Sequence, residues 1–141
     1  MQKKKDPLSS ASISPKYGDT ETVTYGLVSD NAAGAKWQVS GRSLGLPKTL
    51  ELNRKVGAPG AMGNDHVILR FSQTEANTET GKIATGSVTL DVSIPRDVAT
   101  ITQAMMNDLL GMLSSLLNDL GAVEDTASRA NCIALLEGVN L

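Results

Sequence analysis

VTLDVSIPRDVATITQAMMNDLLGMLSSLLND, running from Val88 to Asp119, decides how this chain folds. Val88, Leu90, Val92 and Ile94 alternate with Thr89, Asp91 and Ser93, the period of a strand with one apolar face. Pro95 ends that strand, and Asp97 is expected to cap a helix that starts at once. On a 3.6-residue wheel Ile101, Met105, Met106, Leu109, Leu110, Met112, Leu113, Leu116 and Leu117 cover about half the circumference. The helix is expected to run to Gly121, about 22 residues or roughly 33 Å. A strand that passes directly into a helix greasy over so wide an arc needs a large apolar surface to receive it.

Upstream the alternation repeats. In PKTLELNRKV, Leu50 and Leu52 oppose Thr49, Glu51 and Asn53; in HVILRFSQ, Val67, Leu69 and Phe71 oppose His66, Ile68, Arg70 and Ser72. Three such strands predict an antiparallel sheet, covered on one side and wet on the other. SSASIS reads as a short edge strand, PKYGD as a turn, and TETVTYGLV and KWQVSG as further strands. SDNAAGA, GAPGAMGND and TEANTETGK read as loops. After Gly121 a second helix is expected, capped by Asp125 or Thr126, with Cys132, Ile133 and Leu136 on one side and Gly138 at its end. The fold class is α+β in one domain over 1–141: a basic arm (1–7), an N-terminal hairpin and antiparallel sheet (8–95) and two C-terminal helices (97–141).

The totals fit this reading. The chain has 141 residues, 40% of them hydrophobic but only 3% aromatic, so aliphatic packing must form the core. A formal charge of −2 excludes a uniformly basic nucleic-acid binder and leaves room for a local basic face. A single cysteine supports no disulfide framework and no metal cluster. MQKKKDPLSS lacks the apolar run of a signal peptide, and polar residues interrupt the long helix, so a soluble protein of a reducing cytoplasm, without a membrane partner, is expected. The lysine arm reads either as a solubilising tail or as a nucleic-acid contact.

No constellation points to catalysis, a cofactor or a small-molecule substrate. His66 and Cys132 have no reason to meet. Cys132 reads as core, and His66, beside Asp65, as a solvated side chain. GAPGAMGND lacks the Lys-Ser/Thr and the following helix of a phosphate loop. The polar sheet face, carrying Thr49, Glu51, Asn53, Lys55, His66, Arg70, Ser87, Thr89 and Asp91, could hydrogen-bond bases and phosphates or be an ordinary wet face. The helix has two readings as well. Either two sheets join edge to edge and each chain's helices cover both, which also hides the sheet edges, or a monomer buries its helix well.

The order of elements resembles that of the coat proteins of single-stranded RNA bacteriophages, the levivirus family. ETVTYG is similar to a hairpin strand of the family, NAAGAKWQVSGRS to its third-strand segment, SVTLDVSIPRD to the last strand entering the first helix, and MMNDLLGMLSSLL to that helix. The likeness spans most of residues 8–141. It implies an intertwined homodimer, with Ile101, Met105, Leu109, Met112, Leu113 and Leu116 at the interface. It implies a capsid protein whose dimers close an icosahedral, T=3 quasi-equivalent shell around the RNA genome in the bacterial host cytoplasm. The loop Thr74–Lys82 would gather around the symmetry axes.

The resemblance also implies an inner sheet face that binds RNA and represses translation through a hairpin. Thr49, Glu51 and Asn53 fall at the fourth-strand contacts, Arg70 at a basic contact with Ile68 beside it, and Ser87 and Thr89 where some members have a stacking tyrosine and an asparagine. Ser87 cannot stack on a base, and Glu51 repels phosphate. Lys48, Arg54, Lys55, Arg70 and Lys3–Lys5 are the cations expected to meet the genome without sequence preference. The alternative is a dimeric RNA-binding regulator that forms no shells.

Overall fold

The computed structural model describes residues 11–15, 22–57, 63–97 and 99–118. The lysine arm, the loop tip 58–62, Gly121, Cys132 and the expected second helix lie outside them. The described residues divide into a sheet unit, which ends at Arg96, and a helical unit made of the residues from Asp97 onward together with Thr22.

The sheet unit has six strands, all antiparallel to their neighbours and in sequence order: β1 (Ser12–Ile13), β2 (Tyr25–Asn31), β3 (Gly34–Gln38), β4 (Lys48–Lys55), β5 (Asn64–Ala76) and β6 (Ile83–Pro95). The expected alternation holds across the ladder. Trp37, Leu50, Phe71 and Val88 stand in one row, and Ala35, Leu52, Leu69 and Leu90 in the next. The polar rows between them run Gln38–Thr49–Ser72–Ser87 and Lys36–Glu51–Arg70–Thr89.

Two stretches expected as loops are shorter loops than expected, with strand on their flanks. SDNAAGA narrows to a turn at Ala32–Ala33, because the Asn31 carboxamide oxygen accepts the N–H groups of Ala33 (2.9 Å) and Gly34 (3.2 Å). Gly34 is required there: a Cβ on it would run into the Leu52 carbonyl oxygen. TEANTETGK narrows to Asn77–Lys82. Asn77 Oδ1 accepts from the backbone of Glu79 and Thr80, and Gly81 turns the chain at φ 70°. Thr74–Ala76 and Ala84–Gly86 are polar or small, and Ile83 stands alone beside them, so no hydrophobic alternation marks these stretches. Pairing with each other makes them strand.

The core lies at one end of the apolar face. Tyr25, Ala35, Trp37, Leu50 and Leu52 are buried, with Ile13, Val23, Val39, Val67, Leu69 and Phe71 packed against them. Tyr25 and Phe71 meet edge to face with centroids 5.9 Å apart. Their strands are three positions apart, about 14 Å on a flat sheet. The start of β2 must therefore curl over the apolar face, and the bulge between Leu27 and Ser29 adds the needed twist. Toward β6 the cover thins: Val88 is 67% exposed and Ile94 38%.

In the helical unit α1 spans Gln103–Asn118, 16 residues, or about 24 Å. Its start corrects the expected cap. Asp97 closes a separate turn, its carboxylate accepting from the Ala99 and Thr100 N–H groups and the Thr100 hydroxyl. Those bonds hold its pKa below the usual aspartate value, the Thr100 hydroxyl contributing most. The helix cap is Thr102, whose Oγ1 accepts from the N–H of Met105. Among the described residues no helix is long and apolar enough to cross a membrane.

Candidate nucleic-acid interface

The ladder brings the expected site residues onto one face. Thr49, Glu51, Asn53 and Lys55 from β4 stand beside Ser72, Arg70, Ile68 and His66 from β5, and these beside Ser87, Thr89, Asp91 and Ser93 from β6. Alternation puts Lys48 and Arg54 on the other face, with Leu50 and Leu52, which removes them from the expected genome-facing set.

The carboxylates on this face do not stand as isolated charges. Glu51 Oε1 lies 3.6 Å from the ammonium of Lys36 on β3. His66 Nδ1 donates to Asp91 Oδ1 across the β5–β6 pair at 2.8 Å. The expected histidine neighbour, Asp65, turns away instead. It accepts from Arg96 Nη2 at 2.9 Å and from the Gly57 N–H at 2.9 Å, and these bonds, Arg96 first, lower its pKa. Lys36 went unrecognised as a site residue. Its signal is the strand alternation that sets it opposite Trp37, in a segment too short to show a period.

Individual positions differ in what they offer. Thr49 is buried, its hydroxyl 2.6 Å from that of Ser72, so it shapes the face from beneath. Arg70 is exposed and donates weakly to Ser87 Oγ at 3.4 Å, leaving most of its guanidinium for a ligand. Asn53 and Lys55 are exposed, and Ile68 is half-buried. Near the β2–β3 turn this face dips into a depression of about 220 Å³, walled chiefly by Ser29, Asn31, Gly34, Lys36, Glu51 and Asn53. Its donors and acceptors suit a base edge or a sugar, and its lysine suits a phosphate.

At the opposite end of the strands Arg42 ties the β3–β4 connection to β5. It donates to the carbonyls of Leu46 and Thr74 and to Glu75 Oε1 at 2.7 Å. Glu75, which also accepts from Gln73, is thereby held below the ordinary glutamate pKa. This cluster fixes loops, and no groups for chemistry converge on it. Among the described residues no three potential metal ligands gather.

The six residues expected at a dimer interface all lie on exposed positions of the helical unit, Leu109 55% and Met112 63% exposed. Met105, Leu109, Met112 and Leu116 follow one stripe, and Leu110 and Leu113 widen it.

No protein-family model matches the chain, and no curated protein matches it in sequence. Solved structures do. The coat protein of bacteriophage EMS014 matches with a TM-score of 0.67 over 94% of this chain and 99% of that one. This is the phage coat-protein fold. The virus-like particle of Beihai levi-like virus 21 matches at 0.66 over 93% and 96%, and the bacteriophage GA capsid protein at 0.50 over 92% and 95%. Identities are 12%, 12% and 18%, so the coat-protein fold is kept with few of its residues. The fold expected from the levivirus resemblance is thus met in its antiparallel sheet followed by a helix.

Proposed function

We propose that this protein is the capsid protein of an RNA bacteriophage, assembling as homodimers into an icosahedral, T=3 quasi-equivalent shell around its genome. The observation that carries this reading is the coat-protein fold, matched over nearly the whole of both chains. The exposed apolar residues support the dimer. In the single chain the helix stripe and the β6 side of the apolar face both lie open, and a second copy offers each the surface it lacks. The polar sheet face would line the interior, where Arg70, Lys55, Lys36 and the depression beside Glu51 meet RNA. Pairing of Glu51 with Lys36 and of Asp91 with His66 lowers the repulsion that two bare carboxylates would impose on phosphate. Ser87 stacks no base, so recognition of a translational-repressor hairpin would rest on hydrogen bonds.

The protein expressed alone is expected to elute as closed, uniform particles with nucleic-acid absorbance at 260 nm, checked by light scattering and electron microscopy. Dimers without particles would favour an RNA-binding regulator that forms no shells. A monomer would overturn the proposal. Arg70→Ala is expected to weaken RNA binding while the dimer persists, and to reduce the slope of log affinity against log salt by about one. An unchanged slope in a filter-binding titration would remove Arg70 from the RNA face.

A further inference from the structure

His66 is the chain's single histidine, and it stands in the polar face of the sheet. Lys55 of β4 and Ser93 of β6 flank it in its row, and Arg70 stands further along the same strand and face. Its hydrogen-bond partner is Asp91, 2.8 Å from Nδ1, while Asp65 belongs to the opposite face and to Arg96. The His66 and Asp91 side chains are 39% and 52% exposed, so a ligand on this face can reach both. A carboxylate only accepts, so the ring carries a proton on Nδ1. That bond fixes the tautomer and with it the character of Nε2. In the neutral ring Nε2 is a bare acceptor, which a phosphate oxygen avoids. In the protonated ring it is a charged donor, which a phosphate oxygen seeks. A histidine free to exchange tautomers would offer a donor at Nε2 in both states.

The rest of the face makes one proton count. Across β3 to β6 the polar rows hold Lys36, Lys55 and Arg70 against Glu51 and Asp91. Their formal charges leave an excess of one positive charge with His66 neutral and of two with it protonated. We infer that His66 is a proton-gated contact for the phosphates of RNA, closed while its ring is neutral and open once Nε2 is protonated, so that this face holds RNA more tightly as pH falls. The inference rests on the reading of the polar face as the RNA side and adds a regulation to it. Proton and RNA each favour the other's binding, as linkage requires.

The gate is tested by titrating the full-length protein, below its assembly concentration, onto a labelled single-stranded oligouridylate. Affinity is expected to rise about tenfold from about pH 7.5 to about pH 5.5, on either side of the ordinary imidazole pKa, as one charge-assisted hydrogen bond is gained. The slope of log affinity against log salt is expected to steepen by about one over the same interval. His66→Gln is expected to bind at both pH values as the native protein does at the higher one. His66→Lys, whose charge is fixed, is expected to bind tightly at both. Asp91→Ala frees the ring to carry its proton on Nε2, and is expected to bind more tightly at the higher pH and so narrow the response. With one histidine in the chain, no other imidazole produces the effect. Equal affinity of the native protein at the two pH values overturns the gate, and so does a full response kept by His66→Gln or by His66→Lys. An undiminished response in Asp91→Ala overturns the part given to Asp91. Failure of the native protein to bind at either pH overturns the RNA-facing reading of the sheet itself.

Discussion

Leu109→Asp is expected to abolish the dimer. Leu109 is 55% exposed in the single chain and sits in the middle of the apolar stripe of α1. In the proposed dimer that stripe is buried against the partner, and the substitution places a carboxylate in a desolvated seam. An unpaired buried charge costs several kcal/mol, on the order of a thousandfold or more in dimer affinity. The free monomer tolerates the change because the position is already wet. A soluble monomer by size exclusion with light scattering is the expected result, with Leu113→Asp behaving alike. If Leu109→Asp remains dimeric at micromolar concentration, α1 does not form the seam. Asn107→Asp, on the polar side of the helix, controls for added charge and is expected to leave the dimer intact.

Trp37→Ala is expected to lose about 3–5 kcal/mol of folding stability, the range for removing a large aromatic side chain from a core. Trp37 is 0% exposed, on the short strand β3, in a row with Leu50 and Phe71. Tyr25, Leu50 and Leu52 share its cluster and would face the space it leaves. Trp37→Phe should recover part of the loss. Urea unfolding of dimers followed by circular dichroism reads both. A loss below about 1 kcal/mol would mean that the core centres elsewhere.

These two substitutions separate two kinds of apolar surface that look alike in the sequence. Leu50 and Leu109 both sit in regular apolar patterns, yet the first is buried by its own chain and the second lies open. Hydrophobic period reports which residues share a face, and nothing in it says what covers that face. The curl of β2 that brings Tyr25 to Phe71 covers one end of the sheet. It arises from a bulge and from contacts far apart in sequence, neither of which leaves a period to read.

The candidate site was legible to the same extent. Thr49, Glu51, Asn53, Arg70, Thr89 and Asp91 fall on one face because alternation in β4, β5 and β6 is strong, and the register confirms their rows. Their partners were not legible. Lys36 reaches Glu51 from a five-residue strand, and His66 meets Asp91 across the ladder instead of its neighbour Asp65. Pairing depends on register, and register depends on the turns. Here the turns are closed by Asn31 and Asn77, single side chains whose role appears only when their carboxamides meet backbone N–H groups.

The sequence by itself determined an antiparallel sheet with one greasy and one polar face, followed by an amphipathic helix, because side-chain period is a local property of the backbone. Only the tertiary structure decided the length of the β5–β6 hairpin, the Thr102 cap and the pairing of Glu51 with Lys36 and of Asp91 with His66. Each of these depends on hydrogen bonds between or beyond regular segments, and such bonds are set by where strands meet.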